Sequence, residues 1–245
     1  MGTVFSFDVR GARDPRVRAA LEAAVVGLHE ADALFSTYRP DSEVSRLGRG
    51  ELGPQDCSPE VREVLRRCAE AELATGGWFT LRYAGPDSAP DPTGLVKGWA
   101  VERAARAIAA AGAESVCVNG GGDVQLSGGP WRVGIADPLR PGGLSTVVEC
   151  ADGELAVATS GPAERGCHIL DPRTGAPPEG GLASLTVVCS GLTDADVRAT
   201  AGYAMGPAAR EWLEELPGTE AFAVTADGST WQTRGFGGLT AQLSA

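Results

Sequence analysis

Hydrophobic and polar positions change period several times along this chain. Residues 2–10 alternate, with Thr3, Phe5, Phe7 and Val9 on one side, which predicts a half-buried strand. Residues 15–35 switch to helical spacing, with Val17, Leu21, Ala24, Val25, Leu28 and Leu34 recurring along one face. Asp14 precedes this run, and Pro15 suits a first helical turn. Residues 36–55 read as polar and turn-rich. Ser58 and Pro59 open a second helix over 59–75, closed by Gly76-Gly77. The short aromatic stretch 78–83 predicts a strand, and 84–93 a loop. A third helix is expected from about 94 to 111, stopping at Gly112. Strands follow at 115–119 and 123–127, separated by a glycine-rich break, then at Trp131–Ala136, Leu144–Cys150, Leu155–Thr159 and Leu185–Cys189. Helices over 194–205 and 207–216 and strands at 220–225 and near 231 complete the pattern. Strands mixed with helices, with no repeat and no low-complexity linker, predict an α+β fold in one compact unit.

Composition narrows the class. A chain of 245 residues allows one large domain or two intimate halves, and 43% apolar residues exclude a disordered chain. No apolar run approaches the roughly 20 residues of a membrane span. A net charge of -11 argues against nucleic acid, which wants a basic face. The six cysteines, at 57, 68, 117, 150, 167 and 189, form no CxxC and match no zinc spacing. A disulfide framework is not expected at this size, and the first residues lack the regions of a signal peptide, so a reducing cytoplasm is the simplest expectation. The start MGTVFS fits the loose myristoylation pattern, but the same segment reads as a buried strand.

Of 21 basic residues, Lys97 is the single lysine and the others are arginine. It stands in Asp91-Pro-Thr-Gly94-Leu-Val-Lys97-Gly-Trp99, in the first turns of the third helix. Helix amides there favour an anion, and an ammonium adds a point charge suited to phosphate. The plainer alternative is a solvated lysine beside a capping Asp91. In Thr193-Asp194-Ala195-Asp196 and Thr200, the carboxylate of Asp196 and the hydroxyl of Thr200 lie one turn apart on one helix face. They are oxygen donors for a hard cation such as Mg²⁺, while Thr193 with Asp196 equally fits a capping box. His168 precedes the turn Asp171-Pro-Arg173-Thr-Gly175, where it could move a proton near neutral pH or satisfy a loop carbonyl. The other histidine, His29, reads as a surface or packing residue of the first helix. Ala158-Thr159-Ser160-Gly161 puts hydroxyls after a strand, as a phosphate or ribose contact or an ordinary turn. Gly48-Arg-Gly50-Glu-Leu-Gly53 fits GxGxxG, but a polar segment precedes it and Pro54 follows, so a nicotinamide site has no support.

In order along the chain, Met1-Gly2-Thr3, Ser36 through Glu43, Asp91 through Trp99, Asn119-Gly-Gly-Gly-Asp123, Trp131 through Pro138, Ala158 through Gly161, His168 through Gly175, and Ala195-Asp196 with Thr200-Ala201 together resemble the ApbE family of FAD:protein FMN transferases. The resemblance implies one α+β flavin-transferase domain over residues 1–245, with mixed or antiparallel sheets and packed helices. It implies Mg²⁺ on the Gly94 backbone oxygen, Asp196 and Thr200. It implies FAD contacts at Met1, Tyr38, Phe79, Thr80, Leu81, Asp91, Lys97 and Leu170, and catalytic roles for Lys97 and His168. The implied reaction transfers FMN from FAD to a threonine or serine hydroxyl of an acceptor protein, releasing AMP. His168 or Asp171 would take the hydroxyl proton. FAD pyrophosphatase activity, giving FMN and AMP, and non-catalytic FAD binding are the alternatives. Two features depart from the family. Thr80 stands where members usually carry Asp, and the stretch from there to Asp91 is short. Gly2 after Met1 also invites removal of Met1, an implied FAD contact.

Overall fold

The structure, a computed structural model, describes residues 2–83, 85, 88–162, 169–179 and 181–240. It opens with strand β1 (Phe5–Arg10), whose alternate residues are half-buried as the sequence pattern requires. Helix α1 (Pro15–Phe35) follows, its first turn capped by the Asp14 carboxylate, which accepts from Arg16 N at 2.8 Å. The segment read as turn-rich contains a short helix, α2 (Glu43–Gly48), which the Ser42 hydroxyl caps at 3.0 Å from Ser45 N. At six residues it is too short to show a period, so its cap was the only available signal. Helix α3 (Pro59–Ala74) is capped by Ser58 and ends before Gly76 and Gly77, both at positive φ.

The strand expected at 78–83 is absent. Local side-chain oxygens take the backbone donors that a strand would need. Thr75 Oγ1 accepts from Phe79 N at 3.0 Å and Thr80 Oγ1 from Arg82 N at 3.2 Å. Leu81 O accepts from Asp91 N at 2.8 Å, which closes the loop back onto the start of helix α4 (Thr93–Ala110).

Strands β2 (Ser115–Gly120) and β3 (Asp123–Ser127) form a hairpin whose two turn residues, Gly121 and Gly122, have φ of 59° and 89°. Such a primed turn needs residues free of a Cβ penalty. β4 (Trp131–Ala136) pairs with β5 (Leu144–Cys150) in a separate two-stranded sheet. β6 (Glu154–Ser160), β7 (Leu182–Cys189), β8 (Glu220–Thr225) and β9 (Thr230–Gln232) join β1 to β3 in a seven-stranded sheet of order β1-β2-β3-β6-β7-β8-β9. Every pairing in both sheets is antiparallel. Helix α5 (Leu192–Met205) starts two residues before the expected boundary. The helix expected at 207–216 is a 3-10 turn at Gly206–Ala208 followed by the short α6 (Ala209–Glu214).

The inner strands of the large sheet are covered on both faces. One face of Val116, Val118, Ala156, Ala158, Leu185 and Ala223 packs on Val101, Ala105 and Ile108 of α4 and Ala195 and Ala199 of α5. The alternate residues, including Val157, Val188, Phe222 and Val224, pack with Ile135 and Val148 of the small sheet. β7, an interior strand of this sheet, is buried at every position, as double coverage demands. A second apolar cluster joins the C-terminal part of α1 to α3 and the first turns of α4, with Phe35 edge-on to Trp99 at 5.7 Å. Among the described residues no helix is long and apolar enough to cross a membrane.

Candidate active site

The start of β3 and the first turns of α4 and α5 meet at the helix-covered face of the large sheet. The strand period decides which side chains arrive there. Val124 and Leu126 face the small sheet, so Asp123 and Gln125 point toward the helices.

α5 begins after Gly191, which has no side chain to offer its free amides. Other elements supply the caps. Glu102 of α4 accepts from Thr193 N at 2.7 Å, and Gln125 of β3 accepts from Leu192 N at 2.8 Å. Gln125 also donates to Ser190 O at 3.1 Å, and the second oxygen of Glu102 pairs with Arg106. Bonds to a charged acceptor contribute about 1.5–3 kcal/mol each. These caps fix the first turn of α5 against both α4 and β3, and thereby fix Asp196 one turn further on. The capping box open to Thr193 and Asp196 in the sequence does not form, because Thr193 lies inside the helix.

Gly98 makes the close approach possible. A Cβ there would stand 2.7 Å from Leu192 O and 3.0 Å from Asp196 Cβ. Its amide donates to Asp196 Oδ2 at 3.2 Å. The Lys97 ammonium lies 3.3 Å from the same oxygen and pairs also with Asp123 Oδ2. Only 15% of the Lys97 side chain is exposed, so the solvated-lysine alternative fails, although Asp91 does cap α4 through Thr93 N at 2.9 Å. The two carboxylates differ in their remaining valence. Asp123 is used at both oxygens, since Oδ1 accepts from Thr159 N at 2.8 Å. Asp196 takes both its donors on Oδ2, and Oδ1 has none among the described residues. One turn on, Thr200 Oγ1 lies 3.5 Å from Ser160 Oγ, and behind it the hydroxyls of Thr159 and Thr186 lie 2.8 Å apart.

This donor set fits a hard divalent cation. Two carboxylates face one ammonium, so the cluster keeps a net negative charge, and a cation already sits against Asp196. The free oxygen of Asp196 and the Thr200 hydroxyl are hard ligands. No group of three or more His, Cys, Asp or Glu side chains converges among the described residues. The Asp196 and Thr200 oxygens would fit a cation such as Mg²⁺, which binds through one or two carboxylates plus phosphate oxygens and water.

Other groups are placed as follows. Phe79 is buried and lies against Gly94, 3.3 Å from where a Cβ would stand. Thr80 Oγ1 donates to Glu72 at 3.1 Å, so the residue replacing the usual Asp is tied to α3. Asp91 accepts from the Tyr83 hydroxyl at 2.7 Å; burial first, then this carboxylate, push the Tyr83 phenol up to about 12. Arg173 stacks 3.9 Å over Trp78, holding the 169–175 loop, with Leu170, against the 75–79 turn. Asp171 spends Oδ1 on Arg173 N within its own turn. Tyr38 is 96% exposed and lies near enough to the Tyr83 phenol for the two to interact electrostatically. His29 is exposed on α1. Met1 and His168 lie outside the described residues. The five described cysteines are free; burial pushes Cys68 to about 12 and Cys117 to about 11, so neither offers a thiolate near neutral pH.

Profile comparison matches the ApbE family over residues 1–87 and 80–223. The chain belongs to the ApbE family. Among curated ApbE relatives, the FAD:protein FMN transferase of Rhodobacter capsulatus is 32% identical over 91% of this chain, which spans 41% of that protein's length. The Vibrio cholerae FAD:protein FMN transferase is 32% identical over 73% of the chain and 71% of its own length. The ApbE flavinyl transferase of Pseudomonas stutzeri superposes with a TM-score of 0.80 at 24% identity, covering 98% of this chain and 95% of that one. The Thermotoga maritima ApbE protein gives a TM-score of 0.80 at 22% identity, covering 98% and 100%. These structures carry the fold: the expected α+β architecture is present, with sheets that are antiparallel throughout.

Four site residues had no role in the sequence reading. Asp123 stood inside a quoted motif without a function, and Glu102, Gln125 and Gly98 were not singled out. Glu102 carried a signal: an acid amid Trp99-Ala-Val-Glu-Arg-Ala-Ala105 interrupts an otherwise apolar helix stripe.

Proposed function

We propose that this ApbE-family chain acts as one flavin-transferase domain, moving FMN from FAD to a threonine or serine hydroxyl of an acceptor protein and releasing AMP. The observation that carries the reading is the Lys97 ammonium sharing Asp196 with the free oxygen Oδ1, one turn from Thr200. Asp196, Thr200 and the Gly94 carbonyl are our candidate ligands for Mg²⁺. Bound there, the ion supplies Lewis-acid polarisation of the FAD diphosphate. Lys97 neutralises diphosphate charge. Tyr38, the 79–81 turn, Asp91 and Leu170 are candidate FAD contacts, as is Met1.

The acceptor oxygen bonds to the FMN-side phosphorus while the bond from that phosphorus to the AMP oxygen breaks. AMP leaves with the electron pair, and FMN stays on the acceptor as a phosphoester. The hydroxyl proton goes to His168 or to Asp171, which spends Oδ1 on its own turn and keeps Oδ2. Phosphoryl transfer depends mainly on positioning and electrostatics, so few groups suffice. The cytoplasm is our proposed compartment for the reaction.

The test incubates the protein with FAD, Mg²⁺ and a candidate acceptor and reads the acceptor by mass spectrometry. A gain of one FMN phosphoester with release of AMP supports transfer. FMN and AMP without modified acceptor would make the protein an FAD pyrophosphatase, and intact FAD would make it a binding protein. Asp196→Ala should lower transfer at limiting Mg²⁺ by about 100-fold, the scale of removing one electrostatic catalytic group. A wild-type rate would remove Asp196 from the metal site.

A further inference from the structure

We propose that Asp123 is a positioning residue that holds the Lys97 ammonium and so leaves Asp196 available to the divalent cation; this rests on the metal reading of Asp196 and Thr200. Lys97 stands between two carboxylates that are not equivalent. Asp123 is anchored from both sides, by Thr159 N at 2.8 Å and by the ammonium itself. Its side chain is 4% exposed, and it leads β3 directly out of the tight glycine turn. It has no spare oxygen for a metal without abandoning one of those partners. Asp196 does have one.

A lysine beside a metal-binding carboxylate is ordinarily a competitor. An ammonium that satisfies Asp196 fully must be displaced before a cation can bind, and it then needs a new counter-charge in a buried setting. Asp123 provides that counter-charge in advance. With Asp123 present, Lys97 is held whether or not Asp196 turns toward a cation. Without it, Asp196 is the one remaining carboxylate among the described residues that pairs with Lys97, and metal binding would strand a buried ammonium. Asp123 thus acts through Lys97, and its effect on metal affinity depends on Lys97 being there. A ligand, or a simple added negative charge, would act independently of Lys97.

The experiment is a double-mutant cycle on metal affinity, read by isothermal titration with Mg²⁺ and by the electron spin resonance of bound Mn²⁺, with no FAD and no turnover. Asp123→Asn keeps an oxygen for Thr159 N and removes the charge. It should weaken Mn²⁺ at least 10-fold when Lys97 is present and no more than 3-fold in the Lys97→Met background. Asp123→Glu should restore affinity to within 3-fold of wild type. Equal losses in the two backgrounds overturn the proposal, because Asp123 would then be a ligand or a plain charge. An unchanged affinity in Asp123→Asn also overturns it. If Asp123→Asn does not fold, Asp123→Ser, which also keeps an oxygen for Thr159 N and removes the charge, carries the same cycle, and equal losses with and without Lys97 overturn the proposal. Asp196→Asn separates the underlying reading, since undiminished Mn²⁺ binding there removes the metal site itself, whatever Asp123 does.

Discussion

The contact between α4 and α5 rests on one missing methyl group, and the same substitution at two glycines measures it. Gly27 lies in α1 with nothing within 4 Å of where a Cβ would stand. Gly27→Ala should therefore show the helix-propensity gain alone, about 0.8–1 kcal/mol. Gly98 is also inside a helix, so Gly98→Ala receives the same gain. Its Cβ, however, would stand 2.7 Å from Leu192 O and 3.0 Å from Asp196 Cβ. Those atoms belong to the backbone and first turns of α5, which Glu102 and Gln125 hold in place. They cannot retreat like the end of a flexible side chain, and overpacking of this kind costs about 1–3 kcal/mol. The two variants should thus differ by about 1–3 kcal/mol. At about 2–4 °C per kcal/mol for a chain of this size, Gly98→Ala should melt some 2–12 °C below Gly27→Ala. Thermal melts and urea midpoints on the two proteins give the difference, and Mn²⁺ titration gives its consequence. Any retreat of α5 carries Asp196 away from Lys97, so only Gly98→Ala should lose metal affinity. If Gly98→Ala melts at or above Gly27→Ala and binds Mn²⁺ as wild type does, the tight contact is not what positions Asp196.

Three further outcomes follow from the same geometry. Glu102→Ala leaves Thr193 N without its buried acceptor, while Arg106 keeps Glu154, and should cost about 1–3 kcal/mol, against a smaller loss for Glu102→Gln; urea midpoints decide, and equal losses would show that charge is irrelevant there. Alkali should destabilise the fold: the unfolded Cys68 thiol ionises near its ordinary value of 9.0 while the folded one keeps its proton to about 12, so stability is full below pH 9 and falls as pH rises toward 12. Cys68→Ala should flatten the fall in urea midpoint between pH 8 and pH 11, and an unchanged slope would contradict the assignment. Arg173→Ala removes the stack on Trp78 and should lower global stability by only about 0.5–1 kcal/mol, while weakening FAD binding if the 169–175 loop helps to hold it; fluorescence titration with FAD reads the second effect.

Where burial alternates with the backbone period, the fold was legible in the sequence. β1, α1 and α3 announced themselves through period and caps, because each buries one face and exposes the other. Residues 78–83 misled for a physical reason: Trp78, Phe79 and Tyr83 carry strand-like side chains, but Thr75 and Thr80 satisfy the backbone locally and turn it. β7 reaches back to Leu182, beyond the expected start at Leu185, because both of its faces are covered and the alternation that marks a strand boundary is missing.

The site divides along a similar line. Lys97, Asp196 and Thr200 were legible because each was rare or periodic within its own helix, and the structure brings Lys97 to Asp196, far apart in sequence, only through partners that carry no local signature. Asp123-Val-Gln125-Leu reads as a half-exposed strand, polar outside and apolar inside, yet all four residues are buried. The polar ones turn inward because they meet charges and orphan amides that other elements bring: Lys97 for Asp123, and the start of α5 for Gln125. Gly191 cannot cap α5, so the cap must come from elsewhere in the chain, and a single sequence holds no record of which residue answers. Inward polar residues on a strand, an acid on an apolar helix stripe and a glycine where two helices cross therefore belong to one device. Each is a local irregularity whose cause is non-local, and together they hold the Asp196 carboxylate against α4 with one oxygen free.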